Sequence, residues 1–156
     1  MKKTIMALGY IFLALIIVIT AVVGVLAVIG NRLDRQSKAF VDAAIPAIIS
    51  DWDIEEIRKL ASPEFDDEVD YDDLARDLDA LRQMGDLVEY KGSTGQSNIT
   101  ISFQFGYEIT ADYAGSADFE AASADIQLSL IRHGGRWQIL DFMVKPEEYT
   151  ESHNVI

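Results

Sequence analysis

Residues able to do chemistry are few and scattered along this chain of 156 residues. Cysteine is absent, and histidine occurs only as His133 and His153. Thiol nucleophiles, disulfides, lipoprotein attachment and thiolate metal sites are therefore excluded. No histidine pair has the spacing a zinc site needs. No glycine-rich phosphate loop follows a strand pattern. Carboxylates are the abundant reactive group, and they are densest in Asp66-Asp67-Glu68-Val69-Asp70-Tyr71-Asp72-Asp73. Alternate carboxylates can ligate calcium, but a calcium loop commonly bends at a glycine, and this run has none. The reading favoured for it is a solvated helix start, where negative charge complements the helix dipole. An isomerase-like site would need a carboxylate base and a hydroxyl donor around an apolar pocket. Tyr107, Tyr113, Asp125 and Asp141 are the strand residues that could supply them. Both tyrosines fall on the apolar side of their stretch, where a tyrosine is usually core with its hydroxyl at the rim. No acid–base pair can be assigned, so no catalytic residue, metal or cofactor is expected. Asn98-Ile99-Thr100 matches the glycosylation sequon, which has meaning only in a eukaryotic secretory setting.

What must position any such surface begins at the amino terminus. Thr4 to Asn31 contains no charge and is mostly Leu, Ile, Val, Ala, Phe and Met. A bilayer core needs about 20 apolar residues, whereas the apolar core of a cleavable signal peptide is about 7–15. Val25-Leu26-Ala27-Val28-Ile29-Gly30 is a poor cleavage site. Residues 1–31 are thus expected to be an uncleaved anchor, with Tyr10, Phe12, Leu15, Ile19 and Gly24 against lipid. Lys2 and Lys3 stand on one flank, and Arg32, Arg35 and Lys38 on the other, so basic residues nearly balance. A short basic tail before the apolar run is the pattern of a signal-anchor. It places the amino terminus in the cytoplasm and the following domain outside. Gly9, Gly24, Gly30 and the Thr20/Gly24 pair leave homo-oligomerisation through the anchor open, although glycine is common in membrane helices.

All 26 acidic residues follow Asn31, against 11 of the 13 basic ones. Such a surface repels nucleic acid and suits a basic protein partner. The length after the anchor is enough for one core, expected over residues 32–146, with 147–156 as a tail. Leu33, Phe40, Val41, Ala44, Ile45, Ile48, Ile49 and Trp52 recur at helical spacing. Pro46 should kink this helix or begin a second one. A short helix over 51–60 is expected to stop at Ser62-Pro63, and a further one carries Tyr71, Leu74, Leu78 and Leu81 before Gly85. The period then changes. Leu87 to Lys91 is a strand candidate, and Gly92 to Ser97 reads as a loop. Asn98 to Tyr113 alternates almost throughout, which predicts one long strand, bulged at Gly106, with a buried and a wet face. Ala114-Gly115-Ser116 is the expected turn and Phe119 to Arg132 the next strand. His133-Gly134-Gly135-Arg136 is a tight hairpin. The last strand, Trp137 to Val144, has apolar residues on both faces, which predicts a central or doubly covered strand ended by Pro146.

Helices followed by strands predict an α+β domain, with helices on one face of a curved antiparallel sheet. Three features carry a family resemblance: Trp52-Asp53 with Leu60-Ala61-Ser62-Pro63-Glu64-Phe65, the long alternating stretch, and the closing hairpin from Ile126 to Phe142. Together they are similar to small bacterial cystatin-like and nuclear-transport-factor-two-like domains, over roughly Phe40 to Pro146. The resemblance implies a membrane-anchored bacterial envelope protein, and with the orientation expected from the basic flank the domain lies on the outer side of the inner membrane. The fold hosts enzymes, binding modules and assembly parts alike. The expectation is therefore a non-enzymatic single-pass protein serving as an interaction module or accessory subunit of a membrane complex. Asp66, Asp67, Asp70, Asp72, Gln104 and Glu108 are its candidate contact residues, on the acidic segment and the wet strand face. The alternative is a small-molecule-binding or isomerase-like pocket protein of the same fold.

Overall fold

The computed structural model describes residues 2–102 and 106–148. One helix, α1, runs unbroken from Lys2 to Asp51. It is long and apolar enough to cross a membrane, and the hydrophobic side chains described between Tyr10 and Ile29 are exposed. Past Asn31 the same helix enters the core. Leu33, Val41, Ala44, Ile45, Ile48, Ile49 and Trp52 are all buried along one stripe. No second helix begins at Pro46, which lies inside α1. Proline deprives one carbonyl of its intrahelical donor, but the fully buried Ile45, Ile48 and Ile49 bind the helix to the core on both sides of it. The helix ends where Trp52 turns left-handed at φ 50°. That conformation is costly for a bulky residue. It is held by the buried indole, stacked on Phe119 with ring centroids 5.4 Å apart.

Three short helices follow. Asp53 caps α2 (Ile54–Leu60) by accepting from the Glu55 N–H at 2.8 Å. Ser62-Pro63, expected only to stop a helix, also starts one. Ser62 caps α3 (Pro63–Glu68), with Pro63 in the first turn, where a missing N–H costs nothing. Part of the acidic segment is thus helical. Asp70 then caps α4 (Tyr71–Leu81), whose Leu78 is buried. A 3-10 turn over Arg82–Met84 leads to Gly85 at φ 83°.

Four antiparallel strands form a meander of order β1-β2-β3-β4: β1 (Leu87–Ser102), β2 (Gly106–Phe119), β3 (Ala122–His133) and β4 (Arg136–Glu148). This corrects several sequence expectations. The alternating stretch from Asn98 to Tyr113 is two strands: Ser102 pairs with Gly106, Ile101 with Tyr107 and Ile99 with Ile109. Alternation continues across a hairpin of odd loop length, so periodicity alone cannot reveal the reversal. Gly106 opens β2 and is not a bulge within one strand. The residues read as a loop over Gly92–Ser97 lie inside β1, and Ala114-Gly115-Ser116 lies inside β2. Gly95 is there for close approach, because a Cβ on it would meet the Asp112 carbonyl and Tyr113. The expected hairpin at His133–Arg136 forms, with Gly134 and Gly135 both at positive φ.

β4 is an edge strand, not a central one, and it runs through Pro146 to Glu148. A register shift opposite Ser129 and Leu130 explains its two-faced pattern. The bulge at Leu140 lets Trp137 and Ile139, and then Phe142 and Val144, all turn toward the core. Proline is tolerated because an edge strand does not need every N–H. The free edge is partly covered by a parallel bridge from Ala61 to Ile139, where the Ser62 N–H donates to the Ile139 carbonyl at 2.8 Å. Apart from Glu147 and Glu148, the expected tail lies outside the described residues.

Candidate functional site

A polar seam fixes the sheet against α1. The Asp34 carboxylate accepts from the Ser97 N–H at 2.8 Å and from its hydroxyl. One turn on, the Tyr113 hydroxyl lies 2.8 Å from Ser37 Oγ and donates to the Asp34 carbonyl at 3.1 Å. Lys38 donates to Asp42 and to the Ser93 carbonyl, each at 2.7 Å. Asp42 also accepts from Tyr90 at 3.0 Å and Ser93 Oγ at 2.6 Å. Partial burial pushes the Asp42 carboxyl up, but the bonds from Lys38, Ser93 and Tyr90 outweigh it and hold it below the ordinary value. Burial, with the Asp42 bond, raises the Tyr90 phenol to about 12. The contacts pair rising α1 numbers (34, 38, 42) with falling β1 numbers (97, 93, 90), so β1 runs back toward the apolar part of α1.

Beyond Ser97 that direction produces a projecting ribbon. β3 pairs with β2 only from Thr110 onward, so residues 99–102 and 106–109 are paired to each other alone. Beside the ribbon sits the turn that follows β3. There the His133 ring nitrogen lies 3.0 Å from the Glu64 carboxylate. The Glu64 N–H, above all, and His133 lower the carboxyl of Glu64 against the opposing effect of burial. Glu64, Thr100, Glu108, Ile131 and His133 border a surface depression of about 310 Å³ that opens to solvent. The Glu64–His133 pair is 69 residues apart, and nothing in the sequence pattern signals it. The seam was more legible. Asp34, Lys38 and Asp42 recur every four residues beside the apolar stripe, a polar ladder on one helix face.

The residues singled out in the sequence are distributed as follows. Tyr10, Phe12, Leu15 and Ile19 are exposed on the apolar part of α1, and nothing packs near Gly24. Asp66, Asp67, Asp70 and Asp72 gather at the α3–α4 corner, all exposed. Two of them have intramolecular tasks: Asp66 accepts from the Tyr71 hydroxyl, and Asp70 accepts from the N–H groups of Asp72 and Asp73. Glu108 is exposed on the ribbon and borders the Glu64–His133 depression, which none of the four aspartates lines. Gln104 lies outside the described residues. Tyr113 is buried under α1 while Tyr107, Asp125 and Asp141 are exposed, so these four groups do not surround one cavity. Among the described residues, no three His, Asp or Glu side chains come close enough to hold a metal ion.

The geometry defines an α+β protein: a four-stranded antiparallel sheet, packed on the far half of one long helix whose near half is apolar and bare. No protein-family model matches the chain, and no curated protein or solved structure matches it either.

Proposed function

We propose that α1 stays in the membrane as an uncleaved single-pass anchor, and that the domain is a cystatin-like interaction module. It would serve as an accessory subunit of a bacterial inner-membrane complex, on the extracytoplasmic side, without catalysis. The observation that carries this reading is the continuity of α1 from the apolar run into the core. A cleaved leader has no reason to share a helix with the fold, and a tethered enzyme has no need of a rigid joint. A docking module gains from one, because fixed orientation lowers the ordering cost of binding. A meander laid on one long helix also supports the cystatin-like reading. The docking surface is the acidic α3–α4 corner, where Asp67 and Asp72 carry no side-chain partner among the described residues, together with the polar outer face of the sheet. The partner's complementary patch is basic.

The test is purification of the full-length protein in mild detergent, with mass spectrometry of what stays bound. A stoichiometric protein that dissociates at high salt, and that is lost on Asp67→Lys with Asp72→Lys, is expected. A protein that purifies alone, or a contact indifferent to salt and to both substitutions, would overturn the acidic-dock reading.

A further inference from the structure

The β1–β2 ribbon carries an apolar face with nothing on it. Among the described residues outside α1, the large exposed hydrophobic side chains are Val88, Ile99, Ile101, Tyr107 and Met143, and three of these five sit on the ribbon. Ile99 is 48% exposed, Ile101 77% and Tyr107 74%. They are cross-strand neighbours, since Ile101 faces Tyr107 and Ile99 faces Ile109. By alternation they lie on the same side of the sheet as Ala111 and Tyr113, the side that α1 covers. Asn98, Thr100, Glu108 and Thr110 occupy the other side. Isolated exposed apolar residues need no explanation, but a clustered face on an otherwise polar surface does.

Where this face points follows from the seam. Asp34 and Ser97 are at one level, because the Asp34 carboxylate bonds the Ser97 N–H at 2.8 Å. From Ser97 the strand advances about 3.3 Å per residue, so Ile101 is about 13 Å further on. From Asp34 back to Ile29, the end of the apolar run, α1 covers only about 7.5 Å. Even inclined at about 45° to the helix, the ribbon still travels about 9 Å along it, past the level of Ile29. The apolar face therefore ends at the depth where the helix itself is in lipid, with Tyr107 near the interface that tyrosines favour.

We propose that the projecting part of the β1–β2 ribbon is a second membrane contact, inserting Ile99, Ile101 and Tyr107 into the leaflet from which α1 emerges. The domain then rests on two points and cannot swivel about the helix axis. This proposal rests on the reading of α1 as a retained anchor, so the experiment must separate the two. The chain has no cysteine of its own, which permits single-cysteine probes. Full-length Ile101→Cys, Tyr107→Cys, Thr94→Cys and Ile19→Cys variants are labelled with a polarity-sensitive fluorophore and reconstituted in phosphatidylcholine vesicles. Quenchers carried on lipid chains or dissolved as iodide are then added. Blue-shifted emission, quenched at least about fivefold more by lipid-borne quencher at positions 101 and 107 than at 94, is the expected result. If position 19 reports lipid while 101 and 107 behave like 94, the ribbon proposal fails and the anchor stands. If position 19 itself reports water, the anchor reading fails, and this inference with it. If 101 and 107 are shielded from both quenchers, protein covers the face, a second copy included, and the lipid assignment is overturned.

Discussion

The two halves of the β1–β2 hairpin have the same alternating pattern and opposite fates. In the half next to β3, Ala111 and Tyr113 turn to the helix side and are buried beneath α1. In the projecting half, Ile99, Ile101 and Tyr107 turn to the same side and stay exposed. Strand alternation states which side is to leave water, and says nothing about what will cover it. Near β3 the cover is a helix. On the projecting part, by the proposal above, it is the bilayer.

The contrast is broken most severely at the core. Ile48 is fully buried, so Ile48→Ala removes three carbons from a packed site and leaves a cavity. A loss of about 3 kcal/mol is expected in urea unfolding of the full chain in mild detergent, followed by tryptophan fluorescence. Ile101→Ala, by the same measurement, should move stability by less than about 0.5 kcal/mol. Equal costs at the two positions would mean that the ribbon face is packed in solution, and the contrast would be lost.

Next in size is the place where the two halves meet. Gly95 faces Tyr113 so closely that an added Cβ would collide with the Asp112 carbonyl. Backbone cannot yield as a flexible side chain can. Gly95→Ala should cost about 2 kcal/mol and loosen the ribbon from the sheet, read as faster amide exchange from Asn98 to Ser102. A neutral substitution would show that the strands at Gly95 have room to separate.

How far the fold was legible depends on which physical term decided each element. The stripe from Leu33 to Trp52 and the hairpin at Gly134-Gly135 were readable because each has one dominant local cause: burial at helical spacing, and positive φ at the turn. The reversal between Ser102 and Gly106 was not, because a turn that preserves parity leaves the alternation intact. β4, expected to be central or doubly covered, is an edge strand, and the reason is related. A single bulge at Leu140 exchanges the faces, so that an edge strand presents apolar residues at positions of both parities. Of the candidate site residues, the acidic corner was visible as composition. That Asp70 and Asp66 are partly occupied by cap and hydroxyl bonds was not, since those bonds depend on where α3 ends. Glu64 and His133 meet only through the tertiary fold.

A smaller change sharpens the comparison from the covered side. Tyr113 differs from Tyr107 in having its hydroxyl engaged, by Ser37 and by the Asp34 carbonyl. Tyr113→Phe should cost about 1 kcal/mol, because a buried pair loses its bond while the ring still packs. Tyr107→Phe should leave stability unchanged in detergent, since its hydroxyl has no partner among the described residues. If both changes were silent, the seam would be packing without hydrogen-bond selectivity.

The last distinction is one of pH, and it concerns the upper end of the seam. Asp42 is held below its ordinary value of 3.8, so the folded state binds fewer protons than the unfolded chain as the medium turns acid. Its contribution is present above about pH 4 and is lost as pH falls below 3.8 through the lower folded value. Asp42→Asn should therefore destabilise the protein at pH 7 and flatten the acid limb of the stability curve, the two forms converging once pH is below the lowered folded value. Tyr90 acts at the other limb with the opposite sign. Its phenol, raised from 10.0 to about 12, stays neutral in the folded state while the unfolded chain ionises. Stability falls between those two values, and Tyr90→Phe should remove that part of the fall. The alkaline limb is read by the tyrosinate absorbance that appears on unfolding. Neither change should alter lipid quenching at position 101, because the Asp34 bond to Ser97 sets the ribbon's level independently of Asp42. A change there would mean that the seam aligns the ribbon as one unit from Asp42 to Ile101.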